Sequence, residues 1–488
     1  MQKWKFKYQM YKHLHANMGA IFQEAQEIGK ELGINSDYKG KIGLTGAISG
    51  CHGSLNKEVA RKMDEAAFKV ISSASLDESI REVVKDVYGD EYDAALVSTC
   101  EAGLKVSFEV LCMPPIIGIG DNYRGRYIAF YERFLHHPGA YGRPFPPKYK
   151  DLLAEQGETS GEYGLQAKRV YNLDTVLVKM AGAKFGSHGL KNHPIPNLLH
   201  VNGEETIAKV KKVSHIHADS LVGFTSLGYD TPGYGYGDKT EEGIPIIQRG
   251  LADIAQSYDV PYIVDNAWGA PFIGADIRKV GADIMVYSMD KVTGSPTCGL
   301  IIGKEEPMVQ IRRAVGIHGT RYGALSSHGK AAYVTMDPGK EALIGALTAL
   351  QIMKEEPSIA IKSFKRLFEI VEEEFQNLNP ALANGWTIFP SNNSLAVELT
   401  YHDTWKEERF GIPIFSVEDM YAGTNLIQMC LSHMGVMPTI TFDGGFWISN
   451  GLGNLDENGN LLEEPTRLAI KALFKSVELV SKYAGLLD

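Results

Sequence analysis

Lys291 closes the run Tyr287-Ser288-Met289-Asp290-Lys291 just after an apolar, strand-like segment. Asp265 closes another such segment 26 positions earlier (291 − 265), in Ile263-Val264-Asp265-Asn266-Ala267-Trp268-Gly269. At the ends of two neighbouring strands, this pair supplies an amine that can form an imine with an aldehyde and an anion that can hold a proton on a pyridine nitrogen. Pyridoxal phosphate chemistry makes both demands, because its ring must accept electrons from a substrate carbanion.

An ionised carboxylate at the mouth of a buried parallel sheet is costly unless it meets a positive partner, and a protonated pyridine is such a partner. The alternative for Asp265 is an aspartate that caps the next helix or accepts from a loop amide. Ala267, two residues on, points to the same side of an extended chain and is small enough to lie under a ring. Lys291 has an alternative as a solvated turn lysine. Against that, it follows Ile284-Met285-Val286 and precedes the turn Gly294-Ser295-Pro296-Thr297-Cys298-Gly299 into another apolar strand. Ligands of open α/β sheets sit where strands end and helices begin. Asp93-Ala94-Ala95-Leu96-Val97 reads as a buried strand running through Ser98-Thr99-Cys100-Glu101-Ala102-Gly103 into an apolar helix from Leu104 to Leu111. A strand, a small polar turn and a helix N-terminus together suit a phosphate, and Ser288 can add a hydroxyl.

The elements that must position these groups alternate. Strand-like runs at Thr175 to Val178, Ser220 to Thr225, Tyr262 to Val264, Ile284 to Tyr287 and Gly299 to Ile302 are separated by helical or irregular stretches such as Ile246 to Tyr258. This order predicts an α/β fold with a mostly parallel sheet and right-handed crossovers. Met18, Ile21, Phe22, Ala25 and Ile28 predict a helix over about 8–32, taken as an N-terminal arm (1–40) or subunit contact. Leu55 to Ala74 reads as a further helix. A helix from Lys340 to Met353 ends a large domain (41–355), and the mixed segment after Pro357 forms a small C-terminal domain (356–488). Two loops rich in glycine, proline and aromatics, 134–150 and 228–243, suit either a lid or surface decoration.

Composition narrows the function. The 488 residues are 44% hydrophobic and 22% charged, with 51 glycines, as in a large globular α/β protein. A formal net charge of −10 offers no global positive field for a polyanion and disfavours nucleic acid as a partner. Cys51, Cys100, Cys112, Cys298 and Cys430 lack paired or metal-ligand spacing and are expected to be reduced thiols in a cytoplasmic protein. The basic start has no apolar run behind it, and no membrane span is expected. His136-His137 and His215/His217 find no third or fourth ligand, so no metal is expected.

The stretch Ser288 to Lys304 resembles the cofactor-lysine segment of the bacterial selenocysteine synthase group within fold type I pyridoxal phosphate enzymes. Thr45-Gly46 with the helix Val59 to Ala67, Ala94 to Ser98, and Asp337-Pro338-Gly339-Lys340-Glu341-Ala342-Leu343-Ile344-Gly345-Ala346-Leu347 resemble other segments of that group. Asp259 to Gly269 is similar to a stretch of the archaeal and eukaryotic phosphoseryl-tRNA selenium transferases. The resemblance covers roughly residues 40 to 350. It implies the aspartate aminotransferase-like large domain and a lysine–cofactor imine at Lys291. It further implies ring-nitrogen pairing at Asp265, phosphate contacts from Ser98, Thr99, Cys100 and Ser288, and a homodimer or higher homo-oligomer with sites at the subunit interface. The N-terminal segment is unlike that family's tRNA-binding domain, and the C-terminal part also departs, so the resemblance speaks for the cofactor more than for the substrate.

Relatives of this fold commonly stack a ring on the cofactor, for which His188 in Gly186-Ser187-His188-Gly189 is the candidate; a histidine satisfied within its glycine-rich loop is the alternative. Arg467, in Glu464-Pro465-Thr466-Arg467-Leu468, resembles the small-domain arginine that takes a substrate carboxylate, and a guanidinium suits that planar group. A surface ion pair on a strand is its alternative. Arg321 in His318-Gly319-Thr320-Arg321-Tyr322 and His52 are further candidates for reaching a site or a neighbouring subunit. The expected function is a pyridoxal phosphate-dependent lyase or transferase acting on an amino acid or related amine by β- or γ-elimination or replacement. Aminotransfer is the alternative in the same class, and a tRNA-associated selenium-pathway protein is the alternative in another.

Overall fold

The computed structural model describes residues 3–45, 47–48, 51–112, 126–131, 191–196, 203–216, 218, 221–232, 236–315, 334–401, 423–439, 441–442, 445–451 and 453–487. The chain divides into two compact units. One comprises Met1–Lys57, Asp290–Gly294 and Glu356–Asp488, and contains the N-terminal helix α1 (Lys3–Glu31); the other comprises Glu58–Met289 and Ser295–Glu355.

The second unit is an α/β layer structure around a seven-stranded sheet. Its strands are β1 (Tyr92–Val97), β2 (Arg126–Tyr131), β3 (Lys191–Pro196), β4 (Leu221–Leu227), β5 (Tyr262–Asp265), β6 (Ile284–Ser288) and β7 (Gly299–Lys304), in the spatial order β1-β7-β6-β5-β4-β2-β3. Neighbours run parallel except β7, which is antiparallel to both β1 and β6. Every residue of β1, β5 and β6 is buried, which explains why these strands read as continuous apolar runs rather than alternating ones. The mostly parallel sheet expected from the strand–helix alternation is present.

The helices that follow are α2 (Lys57–Ala67), α3 (Ser73–Tyr88), α4 (Cys100–Cys112), α5 (Gly203–Ile216), α6 (Ile246–Ser257), α7 (Glu305–Ala314) and α8 (Lys340–Glu355); α3, α4, α6 and α7 pack on the sheet, α5 packs on α6 and α8 on α3. Leu104 and Phe108 of α4 join Ile263, Val286 and Ile301 of the sheet and Met308 and Ile311 of α7 in one core. A Cβ on Gly103 would lie 2.8 Å from Val286 Cγ1, so glycine lets α4 seat closely on β6. Buried Arg312 of α7 donates to Asp77 of α3 (3.2 Å) and to the Ala94 carbonyl of β1 (2.7 Å), while Arg81 holds Asp93 at 2.7 and 2.9 Å.

One sequence expectation changes, and one strand was not anticipated. The helix read over Leu55 to Ala74 is two helices, broken at residues 68–72, where Phe68 and Val70 are fully exposed and β-branched Val70-Ile71 precedes Ser72 at the N-cap of α3. Strand β3 contains Pro194 and Pro196, which disguise a strand in sequence. It lies at the sheet edge, where a missing N–H leaves no ladder bond unmade on the outer side. The expected strand Thr175 to Val178 and the loop 134–150 lie outside the described residues.

The first unit packs α1 against α10 (Gly423–Met434) and α11 (Glu463–Tyr483), burying Leu14, Ile21 and Ala25. Helix α9 (Pro357–Phe375) leads into a four-stranded antiparallel sheet of β8 (Trp386–Ser391), β9 (Ala396–Tyr401), β10 (Thr441–Phe442) and β11 (Gly445–Ser449), ordered β8-β9-β11-β10. Trp386 stacks on Phe446 with centroids 5.7 Å apart. Residues 42–43 pair in parallel with 436–437, and Thr45 Oγ1 lies 2.6 Å from Ser449 Oγ, so the segment after α1 is built into this unit. No helix among the described residues is long and apolar enough to cross a membrane.

Candidate active site

Sheet register decides what meets at the carboxyl ends of the parallel strands. Gly299 at the start of β7 stands opposite Val97 of β1 on one side and Ser288 of β6 on the other. Asp265, the last residue of β5, stands opposite Val286 of β6 and Leu227 of β4. The Ser98–Thr99 turn, Ser288 and Asp265 therefore leave one edge of a single sheet, the edge at which open α/β proteins bind ligands.

Asp265 is 7% exposed, and its carboxylate accepts the Ala267 N–H at 3.2 Å. Its backbone is fixed as well. The Gly228 N–H donates to the Asp265 carbonyl at 2.8 Å, and the Asn266 N–H to the Val286 carbonyl at 2.9 Å. Buried Asn266 fills the space between two glycines: a Cβ on Gly228 would fall 1.9 Å from its Oδ1, and one on Gly269 2.3 Å from its Nδ2. The Tyr287 hydroxyl also hydrogen-bonds Asn266, and burial, reinforced by Tyr88, raises the Tyr287 phenol well above its ordinary range. The ring of Tyr229 lies edge-on to both Trp268 (5.5 Å) and Tyr236 (6.1 Å), tying the 228–243 loop to the turn after Asp265.

Thr99 caps α4: its Oγ1 accepts from the Ala102 N–H at 3.0 Å and its carbonyl from the Gly103 N–H at 3.1 Å. The Ser98 N–H donates to the Met336 carbonyl at 2.6 Å, which fixes the turn from the other side. Gly299 is glycine because the turn lies on top of it; a Cβ there would sit 2.3 Å from the Thr99 carbonyl oxygen. The result is a rigid turn at the positive end of a 13-residue helix, with Ser288 on the adjoining strand.

Lys291 lies in a single helical turn, Met289–Val292, that continues directly from β6, and it is partly exposed. The Met289 N–H donates to the Cys298 carbonyl at 2.9 Å, closing the loop into β7. Ala267 is half-buried, Ser98 and Thr99 are half-buried, and Cys100 and Ser288 are buried. His188 and Arg321 lie outside the described residues. Arg467 sits on a helix, α11, rather than a strand. Its guanidinium donates to Glu374 at 3.0 Å and to Glu373, and Glu463 lies 3.6 Å away. Three carboxylates already hold it as an ion-pair network, which corrects the expectation of an arginine awaiting a substrate carboxylate. Asn266 and the Tyr229–Trp268 contact escaped the sequence reading; the one available signal was the flanking glycines at 228 and 269. Among the described residues, no group of three or more His, Cys, Asp or Glu side chains gathers as a metal site.

Neither a protein-family model nor a curated protein matches the chain. Solved structures similar to it include ureidoglycine–glyoxylate aminotransferase from Bacillus subtilis (12% identity, 87% of this chain and 90% of that one, TM-score 0.48). Alanine–glyoxylate aminotransferase from Nostoc sp. is similar at 11% identity over 91% and 96% of the two chains, with a TM-score of 0.49. D-glucosaminate-6-phosphate ammonia-lyase is similar at 15% identity over 92% and 98%, with a TM-score of 0.46. Likeness at this level does not bear on the reaction.

Proposed function

We propose that this chain is a fold type I pyridoxal 5'-phosphate-dependent enzyme acting on an amino acid or related amine. The observation that carries the reading is the shared sheet edge, where a buried carboxylate, Asp265, stands two residues out of register with the Ser288 hydroxyl and the capped Ser98–Thr99 turn. The donor set fits the group. Asp265 suits a protonated ring nitrogen, Ala267 leaves room for a ring face, and the start of α4 with Ser98, Thr99 and Ser288 suits a phosphate dianion.

When bound, the cofactor supplies an aldehyde that captures amines and a ring that withdraws electrons. The protein's own residues do the rest. Lys291 would be the residue that holds the cofactor through its amine, and its Nζ would be the base placed to take the substrate α-proton. Asp265 would hold a proton on the ring nitrogen, while Asn266, wedged between two glycines, holds the Asp265 backbone in place. Elimination or replacement at the substrate side chain is the preferred outcome on the sequence resemblance.

The test is to purify the protein, add pyridoxal 5'-phosphate, record its spectrum, reduce with borohydride and map the modified peptide. A reduced adduct at Lys291 is expected; a protein that takes up no cofactor, or carries it on another lysine, refutes the reading. Incubation with amino acids then separates reactions. Keto acid plus ammonia without an acceptor marks a lyase, and stoichiometric pyridoxamine phosphate marks aminotransfer.

A further inference from the structure

The turn that carries Lys291 is gripped within the first unit. Residues 290–294 belong with the N- and C-terminal segments in the first unit, and the structure shows what grips them there. The Gly294 carbonyl accepts the backbone N–H of Asn56 at 3.0 Å. Gly294 has a φ of +67°, and a Cβ on it would come 3.0 Å from both the nitrogen and the Cβ of Asn56. Backbone meets backbone at this point, and a side chain would be strained on both counts.

The strap continues beyond Asn56. The Lys57 N–H donates to the Glu457 carbonyl at 2.8 Å, and the Lys57 ammonium pairs with the Glu457 carboxylate. Glu457 sits at the tip of a hairpin closed by the Leu455–Leu461 bridge. Asp456 locks that tip by accepting the N–H groups of Asn458 and Asn460, each at 2.8 Å. Ser363 of α9 donates to the Gly459 carbonyl at 2.8 Å, anchoring the hairpin to a 19-residue helix. The exposed ion pair contributes little by itself. The two backbone hydrogen bonds set geometry, because each fixes both a distance and a direction.

We infer that residues 56–57 are a positioning strap for Lys291: Asn56 and Lys57 tie the lysine turn, through two main-chain hydrogen bonds, to the 455–461 hairpin. This rests on Lys291 being the cofactor lysine. With the cofactor bound, the strap would limit how far Nζ swings and so fix the orientation in which it holds and releases a proton. Asn56 and Lys57 touch neither cofactor nor substrate in this scheme; they act through Lys291.

The two backbone bonds can be removed separately. Asn56→Pro deletes the N–H that Gly294 accepts. Lys57→Pro deletes the N–H that Glu457 accepts, together with the exposed Lys57–Glu457 ion pair, and proline is well tolerated at the first helical position, which Lys57 occupies in α2. Arg61→Ala, which removes ion pairs to Glu58 and Glu65 on the same helix, serves as the control for loosening α2 without touching the strap.

The readout is the visible spectrum of the lysine–cofactor adduct as a function of pH, alongside borohydride trapping and urea unfolding. Both proline variants should still trap the adduct at Lys291, with the midpoint of the spectral titration moved by about half a unit or more. Arg61→Ala should keep the wild-type midpoint. If either proline variant folds, traps at Lys291 and titrates like the wild type, the strap assignment is overturned; equal shifts in all three variants overturn it too, because a merely structural effect would then account for them. A wild-type protein with no adduct at Lys291 fails at the earlier step and removes the functional reading itself.

Discussion

Gly299→Ala tests the architecture of the site at its tightest point. The added Cβ would sit 2.3 Å from the Thr99 carbonyl oxygen, 2.6 Å from its carbon and 2.8 Å from the Cys100 nitrogen. Ordinary contact begins near 3.4 Å, so the turn must retreat by about 1.1 Å (3.4 − 2.3). All three clashing atoms are backbone, and none can rotate away. Overpacking of this kind costs about 1–3 kcal/mol in stability. The larger effect falls on the ligand, since the same turn offers its hydroxyls and the start of α4 to a phosphate, and losing one hydrogen bond to a charged group costs about 1.5–3 kcal/mol. Absorbance titration with pyridoxal 5'-phosphate should show affinity falling by one to two orders of magnitude, about 1.4–2.8 kcal/mol, with a modestly lower urea midpoint. Wild-type affinity in a variant that folds would show that the Ser98–Thr99 turn does not bind the phosphate.

Other substitutions probe separate parts of the structure. Lys291→Ala should abolish the borohydride-trapped adduct, read by peptide mapping. Asp265→Asn should retain cofactor and lose most turnover, because an amide holds the ring proton poorly; steady-state rates of the saturated enzyme check it. Arg312→Met should lower stability by about 3 kcal/mol, because it takes the guanidinium from buried Asp77 and Asp93. A change below about 1 kcal/mol in urea unfolding would show that the surrounding groups compensate.

Much of the large sheet was legible because its central strands are buried on both faces. Tyr262–Val264, Ile284–Tyr287 and Leu300–Ile302 are uninterrupted runs of buried apolar or aromatic side chains, and the expected strand ends fall within two residues of their ends in the structure. The edge strand 191–196 was not legible. Its two prolines are tolerated because one side of an edge makes no ladder, a tertiary fact that local sequence does not carry. At the site, Asp265 and Lys291 stood out by residue type at strand ends, whereas Asn266 acts through shape and needs the glycines of two other segments to be seen. Arg467 misled for the opposite reason. Its partners Glu373 and Glu374 are more than 90 positions away in sequence, and only α9 packing beside α11 brings them to it.

Alkaline pH gives a test of the core beneath the site that does not depend on the cofactor. Tyr88 is pushed up to about 12, chiefly by burial and then by nearby Asp276, and burial also raises Tyr262 and Tyr287. An unfolded tyrosine ionises near pH 10. Between that value and the folded one, the unfolded chain releases protons that the folded chain keeps, so stability falls as pH rises. Stability from these phenols is therefore fully present below about pH 10 and is lost progressively toward pH 12 and above. Tyr88→Phe should flatten that decline, because its ring stays packed against Phe272 at 5.9 Å while the ionisable group is gone. Urea midpoints at pH 9, 10 and 11 would measure the slope. An unchanged slope in Tyr88→Phe would mean that the Tyr88 hydroxyl reaches water in the folded state, contrary to its 3% exposure.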